Sequence, residues 1–134
     1  SQNSHFFPAL IKKIHHAKKN KIKQISIWGS GNPKRELMYV DDLADACIFF
    51  MHKKTKHSLI NIGSGTEMKI KDYAKFIAKN INYEVNFKYD KFKKDGTPRK
   101  TLNTSLAKKY GWKAKTSLEI GFKKTYKNFL TRFA

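Results

Sequence analysis

The stretch Trp28 to Asp42, WGSGNPKRELMYVDD, constrains this chain more than any other. It places two glycines, an asparagine and a proline within a few residues of one another between apolar runs, and a tight turn suits all four. Gly29 and Gly31 tolerate positive φ, Asn32 tolerates the left-handed region better than most residues, and Pro33 fixes its own φ. Ahead of the turn, Ile25, Ile27 and Trp28 read as a strand; after it, Leu37 to Val40 read as a second, short extended run. Asp41 or Asp42 is placed to accept the free N–H groups of a following helix. Between turn and second run lies Lys34-Arg35-Glu36, where a guanidinium can be presented to an anion. An ordinary β-turn with solvated charges explains the same pattern.

Helical spacing recurs along the rest of the chain. Phe7, Leu10, Ile11 and Ile14 predict a helix over about residues 5–19 with Pro8 in its first turn. His15 and His16 there point about 100° apart, a poor geometry for a shared metal, and read as solvated side chains. Leu43, Ala46, Cys47 and Phe50 predict a helix over about 42–53, with Cys47 a small core residue on its apolar stripe. Leu59 to Gly63 reads as a strand, and Ile70, Tyr73, Ala74, Ile77 and Ile81 as one face of the helix after it. The Gly63-Ser-Gly65 turn between them lacks the third glycine and the acidic partner of a dinucleotide loop. Residues 84–89 predict a strand and 91–100 an exposed loop. A short amphipathic segment ends at Gly111, and Thr116-x-x-Glu119 is a capping box opening a last helix whose stripe is Leu118, Phe122, Tyr126, Phe129 and Phe133.

The formal charge of +19 invites a nucleic-acid reading. Of the 29 basic residues, however, only Arg35, Arg99 and Arg132 are arginines, and the lysines are spread through every segment. Base-edge readout favours arginine forks, so a solvated, lysine-rich surface is the preferred account and an RNA- or polyanion-binding module the alternative outside enzymes. No apolar run approaches the ~20 residues that span a bilayer, and one cysteine cannot form an intrachain disulfide. A cytoplasmic protein is expected. The chain begins at Ser1 and is expected to be a piece of something larger.

The wording of the turn segment resembles the substrate-domain signature of the extended short-chain dehydrogenase/reductase superfamily, the nucleotide-sugar epimerases, dehydratases and reductases. Asn3-Ser4-His5 ahead of Pro8-Ala9-Leu10, and Lys94-Asp95-Gly96-Thr97-Pro98-Arg99-Lys100, are similar to motifs of the GDP-L-fucose synthase family. The resemblance implies an α/β fold: a single small C-terminal substrate-binding domain, residues 1–134, with few short strands, packed helices and no Rossmann half. It also implies an NADPH-dependent enzyme acting on GDP-4-keto-6-deoxymannose by epimerisation at C3 and C5 and reduction at C4. A related GDP-deoxyheptose enzyme, or another nucleotide-sugar epimerase or dehydratase, stays open.

Carried over residue by residue, the resemblance makes His5 the acid/base histidine, also facing the cofactor. Arg35, Trp28, Lys13, Asp95 and Lys100 become contacts to the GDP-sugar. An imidazole suits proton abstraction beside a ketone, and an arginine fork suits a diphosphate. Lys13 stands where an arginine is expected and lacks its bidentate geometry. Tyr89 and Lys93 match the Tyr-x-x-x-Lys spacing of the superfamily's catalytic pair but fall in a strand-to-loop segment, so that pair and most of the NADPH site belong to the missing half. The whole protein is expected to be a homodimer with a GDP-sugar as its partner, no specific nucleic acid and no membrane. This chain alone is expected to be inactive.

Overall fold

The computed structural model describes residues 2–37, 39–53, 63, 67–96 and 105–133, with side chains from residue 6 to 132 of these. The elements are α1 (Gln2–Lys19), β1 (Gln24–Trp28), β2 (Lys34–Glu36), α2 (Val40–Met51), β3 (Glu67–Lys69), α3 (Ile70–Asn80), β4 (Asn86–Asp90), α4 (Ser105–Lys109) and α5 (Leu118–Phe133). The expected α/β arrangement of few short strands and packed helices is the one observed. The strand expected over 59–63 lies outside the described residues apart from Gly63.

The core forms where the apolar stripes of α1, α3 and α5 meet the inner face of β1. Ile11, Ile14 and Ile77 are fully buried, with Phe7, Leu10, Ile25, Ile27, Tyr73 and Phe122 around them. Each such aliphatic side chain contributes about 1.5–3 kcal/mol on leaving water. That burial holds α1 together across Pro8, which lies inside the helix because α1 starts at Gln2, earlier than the spacing predicts. α1 and α3 end alike: Ile22 N–H donates to the Ala17 carbonyl at 2.8 Å and Tyr83 N–H to the Ala78 carbonyl at 2.9 Å. Lys21 and Asn82 adopt φ of 55° and 56° to allow it.

β1 and β4 run parallel, Ile25 opposite Phe87 and Ile27 opposite Tyr89. β2 and β3 are antiparallel, with Arg35 opposite Met68. The strand after the turn is therefore Lys34 to Glu36; of the run expected over Leu37 to Val40, Leu37 and Tyr39 lie outside any strand and Met38 lies outside the described residues. Partner β3 is only three residues long, and Val40 already belongs to α2.

α2 departs furthest from its expected packing. Its buried positions are Asp42 and Ala46, whereas Cys47 is exposed together with Val40 (76%), Leu43, Ile48 (60%) and Met51 (78%). Cys47 is thus not a core residue of the described fold, because the helix turns its other face inward. On that face Ala46 packs with Ala107 and Trp112, Phe49 and Phe50 flank them, and the Trp112 indole N–H donates to Asp45 at 3.0 Å. Neither Asp41 nor Asp42 caps α2, whose N-cap is Tyr39 without a side-chain bond. Asp42 instead accepts the backbone N–H groups of Lys115 (3.3 Å) and Thr116 (3.2 Å), tying α2 to the approach to α5. α5 starts at Leu118, so its capping hydroxyl is Ser117, one residue later than Thr116, and it accepts the Ile120 N–H at 3.2 Å.

Tyr39 closes this side of the molecule by laying its ring over Gly121 of α5. A Cβ at Gly121 would sit 1.9 Å from the Tyr39 Cζ. Burial, helped by Asp42 and Glu119, pushes the Tyr39 phenol up to about 12, so the ring stays neutral. In an open helix interior Gly→Ala adds about 1 kcal/mol; here the ring must move. Gly121→Ala is expected to lower the urea midpoint by the equivalent of about 1–3 kcal/mol. A raised midpoint would show that Tyr39 does not occupy this place.

Candidate functional site

β1 ends at Trp28 and the chain turns at once through Gly29 (φ 76°) and Gly31 (φ 73°). Both glycines are required twice over, by dihedral and by crowding. A Cβ on Gly29 would lie 2.0 Å from Asp95 Oδ1, and one on Gly31 would lie 2.7 Å from the Tyr89 ring and 2.9 Å from Lys71 Cβ. The crowding is productive. Ser30 N–H donates to Asp95 Oδ1 at 2.7 Å and Ser30 Oγ–H donates to Asp95 Oδ2 at 2.6 Å, so one carboxylate clasps the turn through both oxygens. The Ser30 hydroxyl, followed by the Ser30 amide, holds the Asp95 carboxyl below its ordinary value. Gly29 N–H donates to the Asp90 carbonyl at 2.8 Å, fixing the other end of the loop 91–95.

Arg35 lies beneath the same loop. It is 8% exposed; Nη1 donates to the Lys34 carbonyl at 2.7 Å, and its own carbonyl accepts the buried Tyr73 hydroxyl at 2.8 Å. Nη2 is 3.0 Å from where a Gly96 Cβ would be, so the glycine lets Asp95-Gly96 approach the guanidinium. Trp28 projects from the end of β1 and is 69% exposed, with the Lys93 ammonium 5.2 Å from its ring centroid. Lys13 of α1 donates to the Ser26 carbonyl at 2.6 Å. Together with Phe6, Leu10, Ile27 and Trp28 it lines an open cavity of about 850 Å³.

The structure thus brings Trp28, Arg35 and Asp95 around one turn, and Lys13 and Trp28 into one cavity; Arg35 and Asp95 are not among that cavity's walls. His5 lies within α1, but its side chain, like Lys100, is outside the described residues. Sequence reasoning missed Ser30 and Lys93, whose only local signal is a serine between two glycines and a lysine in a loop. It also misread His15. Instead of being solvated, His15 meets the Tyr126 hydroxyl through Nδ1 at 2.8 Å and packs edge-on against Phe129. Burial, then Lys19 and Lys18, lower its pKa. The aromatic stripe of α5 was the signal for it.

Comparisons with known proteins fit this geometry. Residues 1–63 match the NAD dependent epimerase/dehydratase family. They belong to it. The matched segment contains His5, Lys13, Trp28 and Arg35. Over 96% of its length the chain is 41% identical to a protein named putative GDP-L-fucose synthase 2 from Arabidopsis thaliana, of which it spans 39%. It superposes with a TM-score of 0.83 on a GDP-L-fucose synthetase from Naegleria fowleri, at 26% identity, covering 96% of this chain and 40% of that one. The TM-score is 0.79 for an NADP-bound GDP-mannoheptose C4 reductase from Campylobacter jejuni, at 29% identity, with 93% and 44% covered. The family resemblance drawn from the turn segment is borne out. The chain spans about two fifths of the length of these relatives, and no helix among its described residues is long and apolar enough to cross a membrane.

The clasp has a titration signature. A carboxyl held below its ordinary value favours the folded loop at pH above that ordinary value, and the advantage is lost as pH falls through the lowered one. Ser30→Ala removes the hydroxyl donor, so carbon-detected NMR is expected to show Asp95 titrating at higher pH than in the unmodified chain. An unchanged Asp95 titration would show that the hydroxyl does not engage it.

Proposed function

We propose that this chain is the GDP-sugar-binding portion of a GDP-L-fucose synthase-like enzyme, an NADPH-dependent epimerase and reductase in nucleotide-sugar synthesis. One observation carries the reading: the Ser30–Asp95 clasp gathers Trp28, Arg35 and the Asp95-Gly96 loop, which follows the other two by sixty positions or more, at one turn. Identity near 40% to proteins named GDP-L-fucose synthase supports it.

In this reading the indole of Trp28 packs on ribose or sugar and its N–H remains available as a donor. Arg35 supplies a planar fork for the diphosphate, and Lys13 and Lys100 are further contacts to the GDP-sugar. His5 exchanges the proton at the carbon beside the ketone, for which an imidazole has a suitable ordinary pKa. NADPH supplies hydride in such enzymes, but the described residues do not fit it. The Gly29–Gly31 turn leads into β2 and not into a helix, and its glycine faces are filled by Asp95, Tyr89 and Lys71. The cofactor belongs to a further domain of a longer polypeptide. The apolar stripe of α2, uncovered among the described residues, fits the same organisation: residues 1–134 as one substrate-binding domain beside an NADPH-binding one. Such an enzyme is cytoplasmic and homodimeric and has no specific nucleic-acid partner.

A related reductase of GDP-heptoses has support from the Campylobacter jejuni structure. Competing titrations separate the sugars, and a polyanion serves as control for diffuse attraction. At ~150 mM salt, screening removes most of the interaction between exposed charges but much less of a shaped contact. GDP-L-fucose is expected to bind in calorimetry under these conditions and heparin to lose most of its affinity; the reverse order would overturn the reading. Arg35→Lys is expected to weaken GDP-L-fucose binding by roughly 1–3 kcal/mol, because an ammonium cannot grip two oxygens in one plane. Unchanged affinity would remove Arg35 from the site. NADPH is expected to give no heat of binding and no oxidation with this chain, and micromolar affinity would contradict the assignment of the cofactor to another domain.

A further inference from the structure

Lys93 lies over an aromatic ring, as Lys23 does over Tyr83 and Lys53 over Phe49, and what sets it apart is the loop that carries it. The loop that carries it is tied at its start by Gly29 N–H on the Asp90 carbonyl, at 2.8 Å, and at its end by both Asp95–Ser30 bonds. Within the loop, Lys93 N–H donates to the Asp90 carbonyl at 3.1 Å and Phe92 N–H to Asp90 Oδ1, also at 3.1 Å. The backbone on both sides of Lys93 is thereby fixed against the turn from which Trp28 projects. Its ammonium, 5.2 Å from the indole centroid, stands over a ring that is 69% exposed. Among the described residues, no carboxylate lies within ion-pair distance of that ammonium.

An indole face favours a cation by about 0.5–1 kcal/mol at exposed sites. It restricts a side chain whose freedom is otherwise worth up to about 2 kcal/mol. An anion reaching this lip meets a charge already ordered, which removes part of the cost of binding. Arg35, by contrast, is almost entirely covered and holds its position from below the loop. The Tyr89–Lys93 spacing also finds its physical sense here: Tyr89 backs the Gly31 side of the turn while Lys93 overlies Trp28 on the other.

We propose that Lys93 is an anion-contacting residue of the substrate site, held over Trp28 to take the diphosphate of a nucleoside diphosphate-sugar while the indole packs on its sugar or ribose. This rests on the reading of the chain as a GDP-sugar binder. Calorimetric titrations of the chain with GDP-L-fucose, GDP and guanosine test the two separately. Lys93→Met is expected to weaken GDP-L-fucose and GDP roughly three- to tenfold, the scale of one partly exposed charge-assisted contact, and to leave guanosine unchanged. Lys93→Arg should retain affinity, since a guanidinium also stacks on an aromatic face. In a Trp28→Leu background the effect of Lys93→Met should shrink, because the ring no longer orders the cation. Without ligand, the Lys93 ε-methylene protons should be shifted upfield by the indole and return to ordinary values in Trp28→Leu. Equal GDP affinity in Lys93→Met and the unmodified chain, or an equal loss for guanosine, overturns the role of Lys93 and leaves the GDP-sugar reading standing. An unshifted ε-methylene overturns its placement. Failure of the unmodified chain to bind GDP-L-fucose overturns the GDP-sugar reading and this proposal with it.

Discussion

The bond pair between Ser30 and Asp95 is the interaction on which the candidate site depends. A carboxylate that accepts from an amide and a hydroxyl of one residue makes two charge-assisted hydrogen bonds in a fixed plane. It can do so only because Gly29 has no Cβ where Oδ1 must come. The consequences spread from there. The loop 91–95 is held against β1, Lys93 is carried over Trp28, and Gly96 comes within reach of the Arg35 guanidinium. The core beneath, built from α1, α3 and α5, supplies the rigid base from which β1 presents Trp28.

Much of this fold was legible in the chain before any coordinates. The stripes of α1, α3 and α5 are long and periodic, and they bury, wholly or in part, the residues that the spacing picks out, except Phe133, whose side chain lies outside the described residues. The Gly29–Gly31 turn was legible because glycine at positive φ is a local requirement. α2 was read correctly as a helix but with the wrong face inward, since its composition is apolar on nearly every side. Only its neighbours, Ala107 and Trp112 with their Asp45 contact, decide that Ala46 is buried and Cys47 is not. Asp42 misled for a similar reason: an aspartate near a helix start can cap it or reach elsewhere, and the amides of Lys115 and Thr116 are more than seventy residues away.

The site was legible as a set of residue types and not as an arrangement. Trp28, Arg35 and Asp95 were picked out through family resemblance, and nothing in the spacing reveals that a serine between two glycines joins them. Ser30 carries no pattern of its own, Lys93 carries only the Tyr-x-x-x-Lys spacing that points to a different role, and His15 gains its partner from the far end of the chain. The charge of +19 pointed at polyanions, but it describes a dispersed surface. If the chain binds a GDP-sugar as proposed, specificity has to come from the few groups that the clasp holds in place.

A map of backbone and indole amide shifts on addition of GDP-L-fucose tests this account most directly. Under the account, the largest changes fall on the Trp28 indole, Ser30, Arg35 and Asp95-Gly96, with little change along the lysine-rich outer faces of α1 and α5 apart from Lys13. Changes spread over those faces, with the Ser30 and Gly96 amides unmoved, would contradict it.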